Sequence, residues 1–244
     1  MIEIKNLKKS FGGVLVWENV SLNIHDGETL AVIGKSGCGK SVLLKHINAL
    51  LTPDEGEVLI DGKDIHKMDY VDQRKQRQKF GVLFQGSALF DSINTFENVA
   101  FPLRYFTDMN EKEIEETVMR CLRYVNLENS AQKETAELSG GMRKRVGLAR
   151  AIVLEPEYIM YDEPTSGLDP QTSNEINELI ITMADEFDIT SIVITHDMHS
   201  VLEVAERVAF LDSQKLAWSG TIDELKTSSH PALRAFVTAS EYQI

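Results

Sequence analysis

The sequence predicts an α/β protein: an antiparallel β region at the start, a strand–helix body around a glycine-rich loop, and a helical insert in the middle. Three observations predict it. Short apolar runs rich in β-branched residues open the chain, separated by Gly12-Gly13 and Asp26-Gly27, the punctuation expected of β-turns. An apolar run ending at Ile33 feeds directly into a glycine-rich segment and then into a helical pattern. After Pro156 the alternation of apolar strand and amphipathic helix resumes, having lapsed between residues 86 and 155.

Each element has its local reason. Residues 2–7, 14–24 and 28–33 read as antiparallel strands, the last pointing into Gly34. Residues 41–51 read as a helix that stops before Pro53, since proline cannot continue one. A strand at 57–60, a turn at Asp61-Gly62 and a strand at 81–84 halting at Gln85 come next. Asn110, with Glu113 three residues on, has the pattern of a capped helix start, and Ile114, Val118, Leu122 and Val125 share one helical face. Ser139 precedes a second insert helix over 142–154, ended by Pro156. A strand at 158–162, a helix over 171–187, a strand at 189–195 and a hairpin of 207–211 with 216–218 complete the body, and Thr221 with Glu224 forms a further capping box. The chain therefore reads as a single domain: a core of residues 1–85 and 156–244, and a helical subdomain over 86–155.

The composition narrows the function. Among 244 residues, 25 Lys and Arg face 38 Asp and Glu, a net charge of -13. Such a surface repels phosphate backbones, so nucleic acid is excluded as a general partner. Arg74, Lys75, Arg77 and Lys79 form the densest basic patch and read as a solvated helix face. Two cysteines, Cys38 and Cys121, cannot supply a disulfide framework or a four-ligand zinc site. No run approaches the roughly 18 apolar residues of a membrane span. The first residues lack the apolar core of a signal peptide, so a cytoplasmic protein is expected.

The segment Gly34-Lys35-Ser36-Gly37-Cys38-Gly39-Lys40-Ser41 fits the phosphate-loop pattern at every fixed position. Glycines let the backbone wrap a phosphate and turn successive N–H groups inward, while the helix that follows adds its positive dipole end. Lys40 is expected at the β- and γ-phosphates and Ser41 at Mg²⁺. Cys38 makes no required contact, but its alkylation should block the site by bulk. Four large apolar residues, Tyr158 to Tyr161, then run into Asp162-Glu163, as a buried strand opening on a nucleotide would. Asp162 is placed at the metal, and Glu163 at the attacking water.

Leu138-Ser139-Gly140-Gly141-Met142 supplies a hydroxyl and two unhindered amides ahead of a helix, a second anion site. One chain does not need two such sites for one γ-phosphate. A head-to-tail pair of chains does, each offering its serine–glycine segment to the nucleotide of the other.

These motifs, in this order, resemble an ATP-binding cassette (ABC) ATPase over essentially the whole length. The resemblance implies a P-loop NTPase fold with a RecA-like core, an antiparallel β subdomain and a helical insert carrying the signature. It implies ATP and Mg²⁺ as cofactors. ATP would be held by an aromatic A-loop at Phe11, stacking on adenine, and by Gly34, Lys35, Ser36, Gly37, Cys38, Gly39, Lys40, Ser41 and Val42. Trp17 is a rival aromatic whose neighbours Val14, Leu15 and Val16 suggest core packing. Gln85 would be the Q-loop residue touching metal and lytic water, so that Ser41, Gln85 and Asp162 surround the metal. Glu163, His196 and Gln85 would be catalytic. Ser139, Gly140, Gly141 and Met142 would reach the partner's ATP, with Met142 standing where the family usually has Gln. Asp169 would close the D-loop Ser166-Gly167-Leu168-Asp169.

Residues 83–104, the Met142 ending and the tail His230 to Phe236 are similar to ATPases of the Mla/Mce type, which drive phospholipid or other hydrophobic-substrate movement between bacterial membranes. That resemblance implies integral membrane permease subunits as partners, a second copy of the chain, an Mce-type substrate-binding protein and a small regulatory subunit, with the chain peripheral on the inner face of the cell membrane. Small residues beside Leu89, Phe90, Phe96 and Phe101 suit a socket for a short permease helix. Arg143, Lys144 and Arg145 are expected to attract the opposing ATP. The alternative is an ABC ATPase serving as a scaffold in cofactor assembly, with no channel; co-purification of a multi-span membrane protein separates the two.

Overall fold

Gly12 and Gly13 both take positive φ, 56° and 82°, which lets the chain reverse so that Phe11 faces Val14 across the first hairpin. The computed structural model describes residues 1–240. The hairpin consists of β1 (Ile2–Phe11) and β2 (Val14–Ile24). There follow β3 (Thr29–Ile33), α1 (Lys40–Ile47), β4 (Glu55–Ile60), β5 (Lys63–Asp64), α2 (Tyr70–Gln78) and β6 (Phe80–Leu83). Three longer helices come next: α3 (Thr95–Phe106), α4 (Glu111–Tyr124) and α5 (Gly140–Ile152). The chain then returns through β7 (Tyr158–Asp162), α6 (Pro170–Phe187), β8 (Thr190–Ile194), α7 (Met198–Val204), β9 (Arg207–Asp212), β10 (Lys215–Thr221), α8 (Ile222–Thr227) and α9 (Pro231–Ala239).

These strands form two sheets among the described residues, in the orders β2-β1-β4-β5 and β10-β9-β3-β8-β7-β6. The first is antiparallel. In the second, β3 pairs parallel with both β8 and β9, and β6, β7 and β8 are parallel to one another. β3 is therefore not a third antiparallel strand as its turn signals suggest. All five of its residues are buried, the pattern of a central parallel strand covered on both faces.

One apolar core lies between the antiparallel sheet, α1 and one face of the parallel sheet, with Trp17, Leu43, Ile47, Met160 and Ile192 at its centre. A second joins α3, α4, α5 and α6 to the other face through Leu83, Ile159 and Tyr161. A third packs α7, α8 and α9 on Ala31, Ile33 and Phe210. No helix of the described residues is long and apolar enough to cross a membrane.

Most elements match their sequence signals, and the exceptions have causes. The helix read over 41–51 ends at Ile47, because Ala49 turns to φ 54°. In α3 the exposed aromatics and Pro102 mask a helical stripe of Phe96, Val99, Ala100 and Leu103, and Asn94 caps the helix by accepting the Glu97 N–H at 2.9 Å. α4 has the expected capping box, Asn110 accepting from Glu113 and Glu113 from Asn110. Buried Asn98 pins the loop before α3: its amide donates to the carbonyls of Phe90, Ile93 and Asn94 at 3.0–3.1 Å and accepts the Phe90 N–H at 2.8 Å.

Candidate active site

Neighbouring parallel strands bring their carboxyl ends to one edge. Val32 of β3 and Asp162 of β7 both pair with Ile194 of the intervening β8, so Gly34, Glu163 and His196 emerge side by side. A cleft of about 1350 Å³ opens there, lined among others by Gly34, Lys40, Ser41, Gln85, Glu163 and His196. That exceeds a typical small-molecule pocket of roughly 300–1,000 Å³ and leaves one side open.

The glycine-rich loop is fixed from outside the cleft. Trp17, fully buried, donates its indole N–H to the Cys38 carbonyl at 3.1 Å. A Cβ added to Gly39 would meet the Trp17 ring within 2.7 Å, and the residue holds φ at 97°. Only glycine satisfies both demands. Trp17 is thus a core residue, and it also braces the loop, a role its sequence neighbours do not announce. Lys40, nearly buried, folds back to donate to the Gly34 and Lys35 carbonyls at 2.8 and 3.2 Å. These neutral acceptors hold the ammonium in the loop's hollow, where an anion would face it.

Ser41 donates to Asp162 Oδ1 at 3.0 Å. Burial raises the Asp162 proton affinity, the Ser41 hydroxyl partly offsetting it, and among the described residues no Lys, Arg or His lies within ion-pair distance of this carboxylate. A half-buried carboxylate beside a hydroxyl is an oxygen donor set suited to Mg²⁺, which prefers few protein ligands plus phosphate and water. The residues present therefore fit that ion.

Glu163 sits one residue further, in the left-handed region at φ 50°, a strained backbone of the kind found at functional positions. Its Oε2 lies 2.8 Å from His196 Nδ1. His196 is 65% exposed at the cleft mouth, while Glu163 is 14% exposed. Behind Glu163, Lys144 of α5 donates to the Gln85 carbonyl at 2.5 Å and to the Glu163 carbonyl at 3.0 Å. Lys144 is only 4% exposed, so it does not present charge to a second chain as its place beside Ser139 suggests. Arg145 likewise pairs with Glu175, whereas Arg143, which donates to the Leu138 carbonyl, remains exposed beside Ser139. Gly141, Lys144, Leu148 and Ala151 are all buried, a helical stripe that could have shown Lys144 pointing inward.

A buried polar set joins the two loops that carry Glu163 and His196. Ser200 donates to Asp197 Oδ2 at 2.8 Å, lies 3.3 Å from Thr165 Oγ1, and accepts from buried Asn177 at 3.2 Å. Nothing in the sequence singles these residues out.

Several expected site residues do not line the cleft. Phe11, 45% exposed, ends β1 with the Lys9 ammonium 5.2 Å from its ring centre and is not among the cleft's lining residues. Ser139 caps α5 by accepting the Met142 N–H at 3.2 Å and is exposed, as is Gly140. Asp169 caps α6 by accepting from the Thr172 N–H at 3.0 Å. Gly140 and Gly141 approach Leu168 and Thr172, so the serine–glycine segment lies against the loop ending at Asp169 rather than over its own glycine-rich loop.

The family model described as ABC transporter matches residues 17–166. The "Probable ribonucleotide transport ATP-binding protein mkl" of Mycobacterium leprae is 44% identical over 236 residues, 97% of this chain and 68% of its own length. The intermembrane phospholipid transport system ATP-binding protein MlaF of Haemophilus influenzae is 41% identical over 228 residues, 93% of this chain and 86% of its own. The methionine import ATP-binding protein MetN of Clostridium tetani is 39% identical over 241 residues, 99% of this chain and 76% of its own. Among solved structures, the dimeric post-hydrolysis state of the ATP-binding cassette MJ0796, bound to ADP and Pi, superposes with a TM-score of 0.84 at 33% identity, covering 91% of this chain and 99% of that one.

The two thiols provide a direct test of the loop geometry. Burial pushes Cys38 upward against the opposing influence of Lys40, and Cys121 further, to about 11. Thiolate is the reactive form, so iodoacetamide should modify Cys38 slowly at pH 7 and faster toward pH 9, while Cys121 stays intact in the folded protein. Modification at Cys38 should abolish nucleotide binding, and bound nucleotide should protect it. Peptide mass mapping with a binding assay reads both; full affinity after complete Cys38 alkylation would refute the placement.

Proposed function

This chain belongs to the ABC transporter family, and from that premise we propose that it drives a membrane permease moving phospholipid or another hydrophobic substrate between bacterial membranes, in an Mla/Mce-type system. As a cassette of this family it binds ATP with Mg²⁺ and hydrolyses it. The observation that carries the substrate class is the similarity to MlaF over 93% of the chain, together with the aromatic character of residues 83–104.

Phe84, Phe90, Phe101, Tyr105 and Phe106 are all exposed. Phe90 and Phe101 lie 4.8 Å apart, Phe101 stacks on Tyr105 at 6.3 Å, and Arg74 covers Tyr105 and Phe106. An exposed aromatic ridge is unusual unless it is a contact surface, and a short amphipathic helix of a permease subunit fits it. In this reading residues 86–155 move as a helical subdomain between nucleotide and permease. The remaining partners are an Mce-type protein and a small regulatory subunit, and the working place is the inner face of the cell membrane.

For the chemistry, Phe11 stacks on adenine, and Gly34, Lys35, Ser36, Gly37, Cys38, Gly39, Ser41 and Val42 surround the phosphates. Lys40 exchanges the Gly34 and Lys35 carbonyls for β- and γ-phosphate oxygens. Ser41, Asp162 and Gln85 are the residues that would hold Mg²⁺, which neutralises phosphate charge when bound. Glu163 accepts the proton of the attacking water, and His196, hydrogen-bonded to it, holds that carboxylate toward the γ-phosphate. Ser139, Gly140, Gly141 and Met142, which lie beside their own chain's D-loop ending at Asp169, complete the pocket of a second copy. Ser139 and Gly140 are exposed, and none of the four lines its own cleft, as such a two-chain pocket needs.

Three outcomes follow. Glu163→Gln should keep ATP affinity and lose turnover by about a hundredfold or more, measured as phosphate release by purified protein; near-normal hydrolysis would remove Glu163 from the role of base. Mixing Lys40→Ala with Ser139→Ala protein, each inactive alone, should restore turnover through one intact composite pocket, and silence despite verified pairing would overturn the head-to-tail arrangement. The Glu163→Gln chain, isolated with its membrane partners from native membranes, should bring co-extracted phospholipid by mass spectrometry. Retention of methionine or a ribonucleotide instead would assign a different substrate.

A further inference from the structure

α5 is clamped along the loop that begins at Gln85. Lys144 donates to the Gln85 carbonyl, and Arg150 donates to the Ser87 and Ala88 carbonyls at 2.7 and 2.9 Å. Between them Gly147 lies so close that an added Cβ would sit 2.7 Å from Leu83 and 3.5 Å from Ser87. On the β6 side, an added Cβ at Gly81 would sit 2.4 Å from the Ala151 carbonyl. The helix and the loop are thus one packed unit, linked to Glu163 by the Lys144 ammonium, 3.0 Å from that residue's carbonyl.

Lys144 is an unusual choice for this place. Burial disfavours its charged form, opposed by Asp162 and Glu163, yet no carboxylate lies within 4 Å of it among the described residues. Its two bonds go to neutral carbonyls, one in each loop of the active cleft. It is not among the residues lining the cleft. Ser139, only five residues earlier on the same helix, roughly 7 Å along its axis, faces the opposite way, outward.

From this we infer that Lys144 is a positioning residue for hydrolysis in its own chain: it ties Gln85 and Glu163 to α5, so that the helix whose start meets the partner's nucleotide sets the catalytic loop of its own pocket. The inference rests on the two-chain pocket proposed above. It gives α5 two addressees, the partner's ATP through Ser139 and its own through Lys144.

The test is chosen so that each claim can fail separately. Lys144→Met, close in volume and without donors, should lower kcat about tenfold or more while the KM for ATP stays within about twofold, the signature of a lost transition-state arrangement rather than lost binding. Lys144→Gln, which keeps amide donors, should fall between it and wild type, and it carries the test alone if thermal melting shows the Met variant unfolded. In mixtures, Lys144→Met with Lys40→Ala should stay slow, because the only intact phosphate loop then sits in the chain lacking Lys144. Lys144→Met with Ser139→Ala should recover. Wild-type kcat in both Lys144 variants, a loss confined to ATP binding, or recovery with Lys40→Ala would overturn the inference, the last by placing Lys144 on the partner's nucleotide. If the Lys40→Ala and Ser139→Ala mixture itself stays silent, the two-chain pocket fails, and the split between kcat and KM still decides the role of Lys144.

Discussion

A parallel sheet delivers every strand's carboxyl end to the same side, and this molecule depends on that constraint. The order β9-β3-β8-β7-β6 sets the glycine-rich loop after β3, His196 after β8, Glu163 after β7 and Gln85 after β6 in a single row. Strands of one sheet lie about 4.8 Å apart, so four adjacent strand ends span a length comparable to a nucleotide's phosphate tail and its surroundings. No single residue creates that row; it follows from the burial of both sheet faces, which requires the helices on each side. The antiparallel sheet then earns its place by covering one face and supplying Trp17 to hold the glycine-rich loop from behind.

Legibility in the sequence divides along the same line. The glycine-rich loop, Asp162-Glu163 and the strand before His196 were all readable, because each combines a residue-specific chemistry with a local hydrophobic run. β3 was readable as a strand but not as a parallel one, since the turn at Asp26-Gly27 resembles a hairpin and the partner strands, β8 and β9, lie more than 150 residues away. α3 is hard to read from the sequence because Phe101, Pro102, Tyr105 and Phe106 obscure the periodicity of Phe96, Val99, Ala100 and Leu103, while its cap at Asn94 is a single polar residue among several. Trp17 was legible as core, but its bond to the Cys38 carbonyl depends on a contact between β2 and the loop that no local pattern encodes.

The polar residues around the cleft follow a different logic from its apolar frame. Thr165, Ser200 and Asn177 are buried, and a buried hydroxyl or amide without partners costs stability. Here the Thr165 and Ser200 hydroxyls and the Asn177 N–H groups find partners when the loop after Glu163 and the loop after His196 hold the observed positions. Asn177 Oδ1 has none among the described residues. Buried hydrogen bonds of this kind define one geometry more sharply than apolar packing, which tolerates repacking. The left-handed backbone of Glu163 is consistent with that: a strained residue persists where its surroundings over-determine it.

The same reasoning bears on the ammonium behind Glu163. A cation taken out of water and given only neutral acceptors is a poor device for stabilising a fold, because the desolvation cost is large and no opposite charge within bonding distance offsets it. An apolar residue of similar volume would fill the space between α5 and β7 at lower cost. What such a residue could not do is bond the backbone of two separate loops at once. Two carbonyls fixed by one ammonium have their separation set by its geometry, and those same residues, Gln85 and Glu163, both line the cleft. The energetic disadvantage is therefore intelligible as the cost of precision where the reacting atoms must meet, and it falls on the helix that also carries Ser139.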